Sequence, residues 1–122
     1  MFEIHPAADD KLAALAEREQ LDLPLCGMVL QDGGEEAGYL LYRVYGDTAS
    51  LVCCRCEDAG LVEWLVRAAL NAAANREALY AVCTDASFFE VLVALGFEQG
   101  ENRVSAFIPD FFNRPCAGCG CH

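Results

Sequence analysis

Four soft-ligand side chains fall within the last seven residues of the chain: Cys116, Cys119, Cys121 and His122. Thiolate and imidazole are the usual ligands of zinc, and thiolates hold iron–sulfur clusters. Gly118 and Gly120 lie between them, and the run has no apolar pattern to bury. A tetrahedral site closed by one such run is cramped, because structural zinc generally takes two separated ligand pairs. The expected geometry is therefore two or three tail ligands completed by an upstream thiol such as Cys54 or Cys56, or by a partner chain's tail. The competing reading is an unstructured tail with incidental thiols. The spacing Cys119-Gly-Cys121-His122 is one residue short of a haem-attachment run.

Five more cysteines lie upstream: Cys26, Cys53, Cys54, Cys56 and Cys83. The opening residues, Met1 to Pro6, do not form a basic stretch followed by an apolar one. No export is expected on that ground, and a cytoplasmic chain keeps its thiols free or metal-bound rather than disulfide-linked. Cys26, Cys53 and Cys83 are expected to be small buried apolar residues, as free cysteines commonly are. His5, before Pro6, is expected at the surface. Eight basic residues against nineteen acidic ones give a net charge of −11. That balance excludes nucleic acid and anionic membrane surfaces as partners, since the phosphate term would be repulsive. Glu63 and Arg67 interrupt the longest apolar stretch, so no segment is expected to span a bilayer.

The elements that must position these residues follow from periodicity. Phe2–Ile4 alternates as a short strand ending at His5-Pro6. A helix starts at Asp9-Asp10, with Leu12, Leu15 and Ala16 on one face. Leu25–Gln31 and Gly38–Tyr45 read as strands, and Gly46-Asp47 supplies a hairpin turn into Thr48–Cys54. Ala59–Asn75 carries the clearest helical stripe, with Glu63 and Arg67 paired four residues apart on its polar side. Leu79–Thr84 is a nearly continuous apolar run, as for a buried central strand. Asp85 or Ser87 caps a helix that Gly96 ends, and Arg103–Ile108 is a last strand. Past Pro109 the chain reads as loop, with Phe111-Phe112 folding the tail onto the body. The order predicts one α/β domain over residues 1–110 with a mixed, mostly antiparallel sheet flanked by helices, then a cysteine-rich tail over 111–122.

Three fragments on this scaffold resemble the GNAT (GCN5-related N-acetyltransferase) superfamily. Leu95-Gly96-Phe97-Glu98 after an apolar helix is similar to that family's helix-end signature. Arg55-Cys-Glu-Asp58-Ala-Gly60, opening the long helix, aligns with its acyl-CoA loop, Q/R-x-x-G-x-G/A. Asp85 falls where members often carry an Asn that helps hold the cofactor. The resemblance implies acetyl-CoA as cofactor, held by Arg55, Gly60, Leu61 and Asp85. It further implies that Thr48–Cys56 and Leu79–Asp85 are neighbouring parallel strands that splay to admit the pantetheine arm. Cys53 and Arg55 would then face one side of the sheet, and Cys54 and Cys56 the other.

Two positions depart from the family pattern. Asp58 stands at the central glycine of the loop. Its carboxylate would oppose a phosphate, and it could equally serve as a plain helix N-cap. Leu92 stands where members often have the tyrosine that protonates the leaving thiolate, and leucine has no proton to give. Glu57 and Asp85 are the nearest candidates for a general base, so the catalytic residues stay unassigned. Tyr39, Tyr42, Tyr45 and Tyr80 remain without a placement. The implied function is acyl-CoA-dependent N-acetyl transfer to a small-molecule or peptide amine. The alternative is a non-catalytic module that keeps the fold and uses its cysteines to hold zinc or an iron–sulfur cluster, or to sense redox state. A homodimer is left open.

Overall fold

The computed structural model describes residues 1–113. Its elements are β1 (Phe2–Pro6), α1 (Asp9–Glu19), β2 (Cys26–Asp32), β3 (Glu35–Tyr45), β4 (Thr48–Arg55), α2 (Ala59–Ala74), β5 (Tyr80–Cys83), α3 (Phe89–Leu95), β6 (Glu98–Gly100), β7 (Arg103–Phe107) and α4 (Ile108–Asn113). The strands form one sheet in the order β1-β2-β3-β4-β5-β7-β6. Strands β1 to β4 are an antiparallel meander, β4 and β5 run parallel, and β7 pairs antiparallel with both β5 and β6. The tail ligands Cys116, Cys119, Cys121 and His122 lie outside the described residues.

Short turns make the meander. Gly46 sits at φ +57 between β3 and β4, a conformation that a side chain would resist. The parallel pair instead needs a long crossover, and α2 supplies it. Val62, Leu65, Val66, Ala69, Leu70 and Ala73 of α2 are all buried, so a single stripe faces the sheet. They pack with Leu40, Tyr42, Ala49, Leu51, Cys83 and Leu92 in the larger core. A smaller core on the opposite face joins Leu12, Leu15 and Ala16 of α1 to Val29, Tyr39, Leu41 and Cys53. Alternation along β3 sends successive side chains to the two cores in turn, whereas in β4 the consecutive Val52 and Cys53 both join the smaller core.

Three elements differ from the sequence expectation. The first strand runs on to Pro6, which is tolerated because β1 is an edge. β6 is a short, fully exposed strand, so it carries no apolar alternation to betray it. The stretch after Arg103–Phe107 is a helix, α4, not a loop. Pro109 falls in its first turn, where a missing N–H costs nothing. Phe111 of α4 is buried edge-on to Phe97, with ring centroids 5.8 Å apart, and the Arg67 guanidinium lies 5.3 Å from its centre.

Candidate functional site

The two parallel strands part company midway. Pairing runs from Thr48 opposite Tyr80 to Leu51 opposite Cys83, where β5 ends, while β4 continues to Arg55. Beyond Leu51 the outer edge of β4 has no strand beside it among the described residues. Two local features draw this end of β4 toward β3. Tyr42 pairs with Leu51 and Leu41 with Cys53, so Val52 is an extra, bulged residue. Opposite the strand end stands Gly38, where an added Cβ would lie 2.8 Å from the Arg55 carbonyl oxygen and 3.1 Å from the Cys56 Cβ. Only glycine permits this approach. Beyond its pairing with β5, β4 thus runs on beside β3 alone to Arg55, a few residues before the N-terminus of α2.

That helix terminus is already capped. Asp58 accepts a hydrogen bond from the Gly60 N–H at 2.8 Å through its carboxylate. Its carbonyl oxygen accepts from the Leu61 and Val62 N–H groups, each at 3.0 Å. Three of the first helical amides are thus satisfied within the chain. A free helix N-terminus is a ready anion site. Here a carboxylate occupies one donor and sets a negative charge beside the rest.

The other residues expected to hold a cofactor have partners of their own. Arg55 points to the α1 side, where its Nη2 lies 2.9 Å from Glu19 Oε1 and its Nε 3.1 Å from Oε2. The Tyr39 hydroxyl donates to the same carboxylate. Arg55 and Tyr39 together hold the Glu19 carboxyl down at about 2. Burial, then the Glu19 contact, pushes the Tyr39 phenol up to about 12. Asp85 accepts from the Ser87 amide at 3.1 Å and the Ser87 hydroxyl at 2.7 Å, capping a single 3-10 turn. Arg55 and Leu61 line one open groove of about 770 Å³ with Tyr39, Cys54, Cys56 and Asp58; Asp85 does not line it. Leu92 is fully buried and belongs to the larger core. Tyr42 is buried as well, while Tyr45 and Tyr80 are exposed.

The Glu19 cluster had no signal in the sequence. It joins the last turn of α1 to β3 and β4 across 20 and 36 residues. The cysteines divide as alternation implied. Cys53 sits in the smaller core on the α1 side, where Arg55 meets Glu19, and Cys54 and Cys56 pack against the larger core. Burial pushes the Cys53 thiol up to about 11, Cys54 up to about 12, and Cys83 upward also. Cys53 and Cys83 are buried as expected, whereas Cys26 is only half-buried. No cluster of three or more metal-ligating side chains occurs among the described residues. No helix among them is long and apolar enough to cross a membrane.

No family model and no curated protein matches the sequence. Solved structures do. The ribosomal-protein-S18-alanine N-acetyltransferase from Escherichia coli superposes with a TM-score of 0.70 at 15% identity, over 88% of this chain and 94% of that one. A probable acetyltransferase from Staphylococcus epidermidis gives 0.72 at 11% identity, over 88% and 99%. A putative N-acetyltransferase from Escherichia coli, bound to coenzyme A, gives 0.62 at 13% identity, over 88% and 98%. Likeness at such identities speaks to architecture, and in its architecture this chain is a GNAT-fold protein.

Proposed function

We propose that the chain is an acyl-CoA-dependent N-acyltransferase with a degenerate phosphate loop, transferring an acetyl group to a small-molecule or peptide amine. The observation that carries this reading is the free edge of β4 beyond Leu51, beside the end of β5. A pantetheine arm carries amide groups, and an unpaired strand edge offers the hydrogen-bonding row that such amides take up. Val52 to Arg55 fit that part of the cofactor. The start of α2 does not fit the pyrophosphate, because Asp58 holds the Gly60 N–H. When bound, an acyl-CoA would supply an activated thioester. A thiolate leaves a tetrahedral carbon more readily than an alkoxide or an amide anion, so the absence of an acid at Leu92 costs rate, about 10²–10⁴-fold, without forbidding transfer.

The deciding experiment is calorimetry with acetyl-CoA and with S-acetyl-pantetheine, followed by thiol release in the presence of amines. Comparable affinities for the two donors are expected, since the pyrophosphate gains little here. Failure of both to bind favours a second reading, a non-catalytic GNAT-fold module. The three internal engagements of Asp58, Asp85 and Leu92 favour it too. In that reading the tail cysteines Cys116, Cys119 and Cys121, with His122, hold zinc or an iron–sulfur cluster. Metal content of anaerobically purified protein should then be stoichiometric and fall to background when the chain is cut after Pro115. Equal content before and after the cut would remove that role.

A further inference from the structure

One face of the sheet is only half covered. Helices α2, α3 and α4 bury residues in the larger core, and α1 alone packs on the other face. The core beneath α1 takes Val29, Tyr39, Leu41 and Cys53 from β2, β3 and β4, and nothing from β5 or β7. On that face two rows of side chains cross the sheet in register. One row runs Tyr45, Thr48, Tyr80, Phe107. The next runs Arg43, Ser50, Val82, Ser105, Glu98. Tyr45, Tyr80 and Phe107 are 63%, 44% and 41% exposed, and the Tyr80 and Phe107 rings stand 5.4 Å apart. Contiguous aromatic surface left bare in this way has the character of an interface.

The two ends of this face differ in shape and in charge. At the β3 end Tyr45 stands exposed beside a small cavity that Arg43 and Arg76 also line. The Arg43 guanidinium donates to the Asp22 and Pro24 carbonyl oxygens, at 2.7 Å and 3.4 Å, and has no carboxylate among the described ion pairs. At the other end β6 starts only at Glu98, opposite Ser105, so among the described residues no strand lies beyond Phe107. A cavity of about 600 Å³ takes that place, lined by Tyr80, Glu98, Phe107 and Asp110. An aromatic knob flanked by arginines and an aromatic cavity flanked by carboxylates thus share one face. Strands β3 and β6 each lie two strands from β5, on opposite sides. A two-fold axis running along β5 between two copies therefore brings Arg43 of each over Glu98 of the other, and Tyr45 of each over the other's cavity. We propose that this face joins two copies of the chain in a closed dimer, with Tyr45 of each seated in the Glu98–Asp110 cavity of the other. A net charge of −11 sets copies against one another, and this face answers it by bringing opposite charges together. Both rows cross the paired part of β4 and β5, short of the free edge beyond Leu51, so the dimer and the acyl-CoA reading stand or fall separately.

Sedimentation equilibrium of the reduced, full-length chain over a concentration series tests this. A monomer–dimer equilibrium is expected, with no larger species. Tyr45→Glu puts a carboxylate into an acidic cavity and should weaken the dimer by at least about tenfold, as loss of an aromatic anchor does. Glu98→Arg sets a cation against Arg43 and should weaken it as well. Trp64→Glu, at an exposed position of α2 on the opposite face, should leave the dimer constant unchanged. Tyr45 and Glu98 are both exposed, so their variants are expected to fold, and circular dichroism spectra matching that of the unmutated chain check this. A monomer at every concentration up to the solubility limit would overturn the proposal. So would a dimer that both Tyr45→Glu and Glu98→Arg leave intact, or one that Trp64→Glu breaks.

Discussion

The Asp58 carboxylate lies 2.8 Å from the Gly60 amide nitrogen, on the donor that a phosphate at this helix terminus would need. The same side chain thus stabilises α2 and opposes the cofactor. The two effects separate by substitution. Asparagine caps as well as aspartate but carries no charge. Asp58→Asn should therefore leave the melting temperature nearly unchanged and strengthen acetyl-CoA binding by at least about fivefold, the lower limit for removing one like charge about 4 Å away. Asp58→Gly should strengthen binding at a cost in stability of a few tenths of a kcal/mol. Calorimetry paired with thermal melts checks both. Unchanged affinity in both variants would show that the carboxylate does not govern binding.

Gly38 lets the end of β4 lie close on β3. In Gly38→Ala the new methyl would stand 2.8 Å from a backbone oxygen, which no rotamer change relieves. The expected loss is about 1–3 kcal/mol in urea unfolding. The displaced strand end carries the free edge proposed for the pantetheine arm, so affinity for S-acetyl-pantetheine should fall. Full retention of both stability and affinity would argue against this geometry.

Much of this arrangement could be read from the residues, because its causes are local. The stripe of α2 and the apolar run of β5 marked the two elements, the resemblance implied the parallel pairing that α2 bridges, and the cap at Asp58 was one of two readings of an ordinary N-cap residue. The elements that escaped are those whose causes are remote. β6 is exposed on every residue and exists only because β7 lies beside it. α4 is held by the burial of Phe111 against Phe97 more than by its own six residues. Arg55 matched a loop pattern by type, yet its side chain turns to Glu19, a partner that only folding reveals.

Leu92 shows that the tyrosine position of the resemblance is structural here. The side chain is fully buried in the larger core. Leu92→Ala should cost about 2–5 kcal/mol through the cavity it leaves. Leu92→Tyr should cost about 1–3 kcal/mol by overpacking and should not raise acetyl transfer. Equilibrium unfolding and a thiol-release assay check the pair. A gain in turnover from Leu92→Tyr would show that the position reaches the reacting thioester.

The Glu19 cluster predicts how stability responds to acid. Hydrogen bonds from Arg55 and Tyr39 lower the folded carboxyl from its usual 4.5 to about 2. In the unfolded chain that help is absent. Below 4.5 the unfolded state binds a proton that the folded state refuses, so the stability Glu19 supplies is complete above 4.5 and is lost as pH falls toward 2. Arg55 is well exposed, so solvent screening limits the ion pair to about 1 kcal/mol or less. Glu19→Gln should therefore reduce stability modestly at pH 7 and flatten its fall between pH 4.5 and 2. Urea unfolding at a series of pH values measures both. Parallel curves for the two proteins through that window would mean that Glu19 titrates alike in the folded and unfolded chains, and that the Arg55 and Tyr39 contacts do not hold in solution.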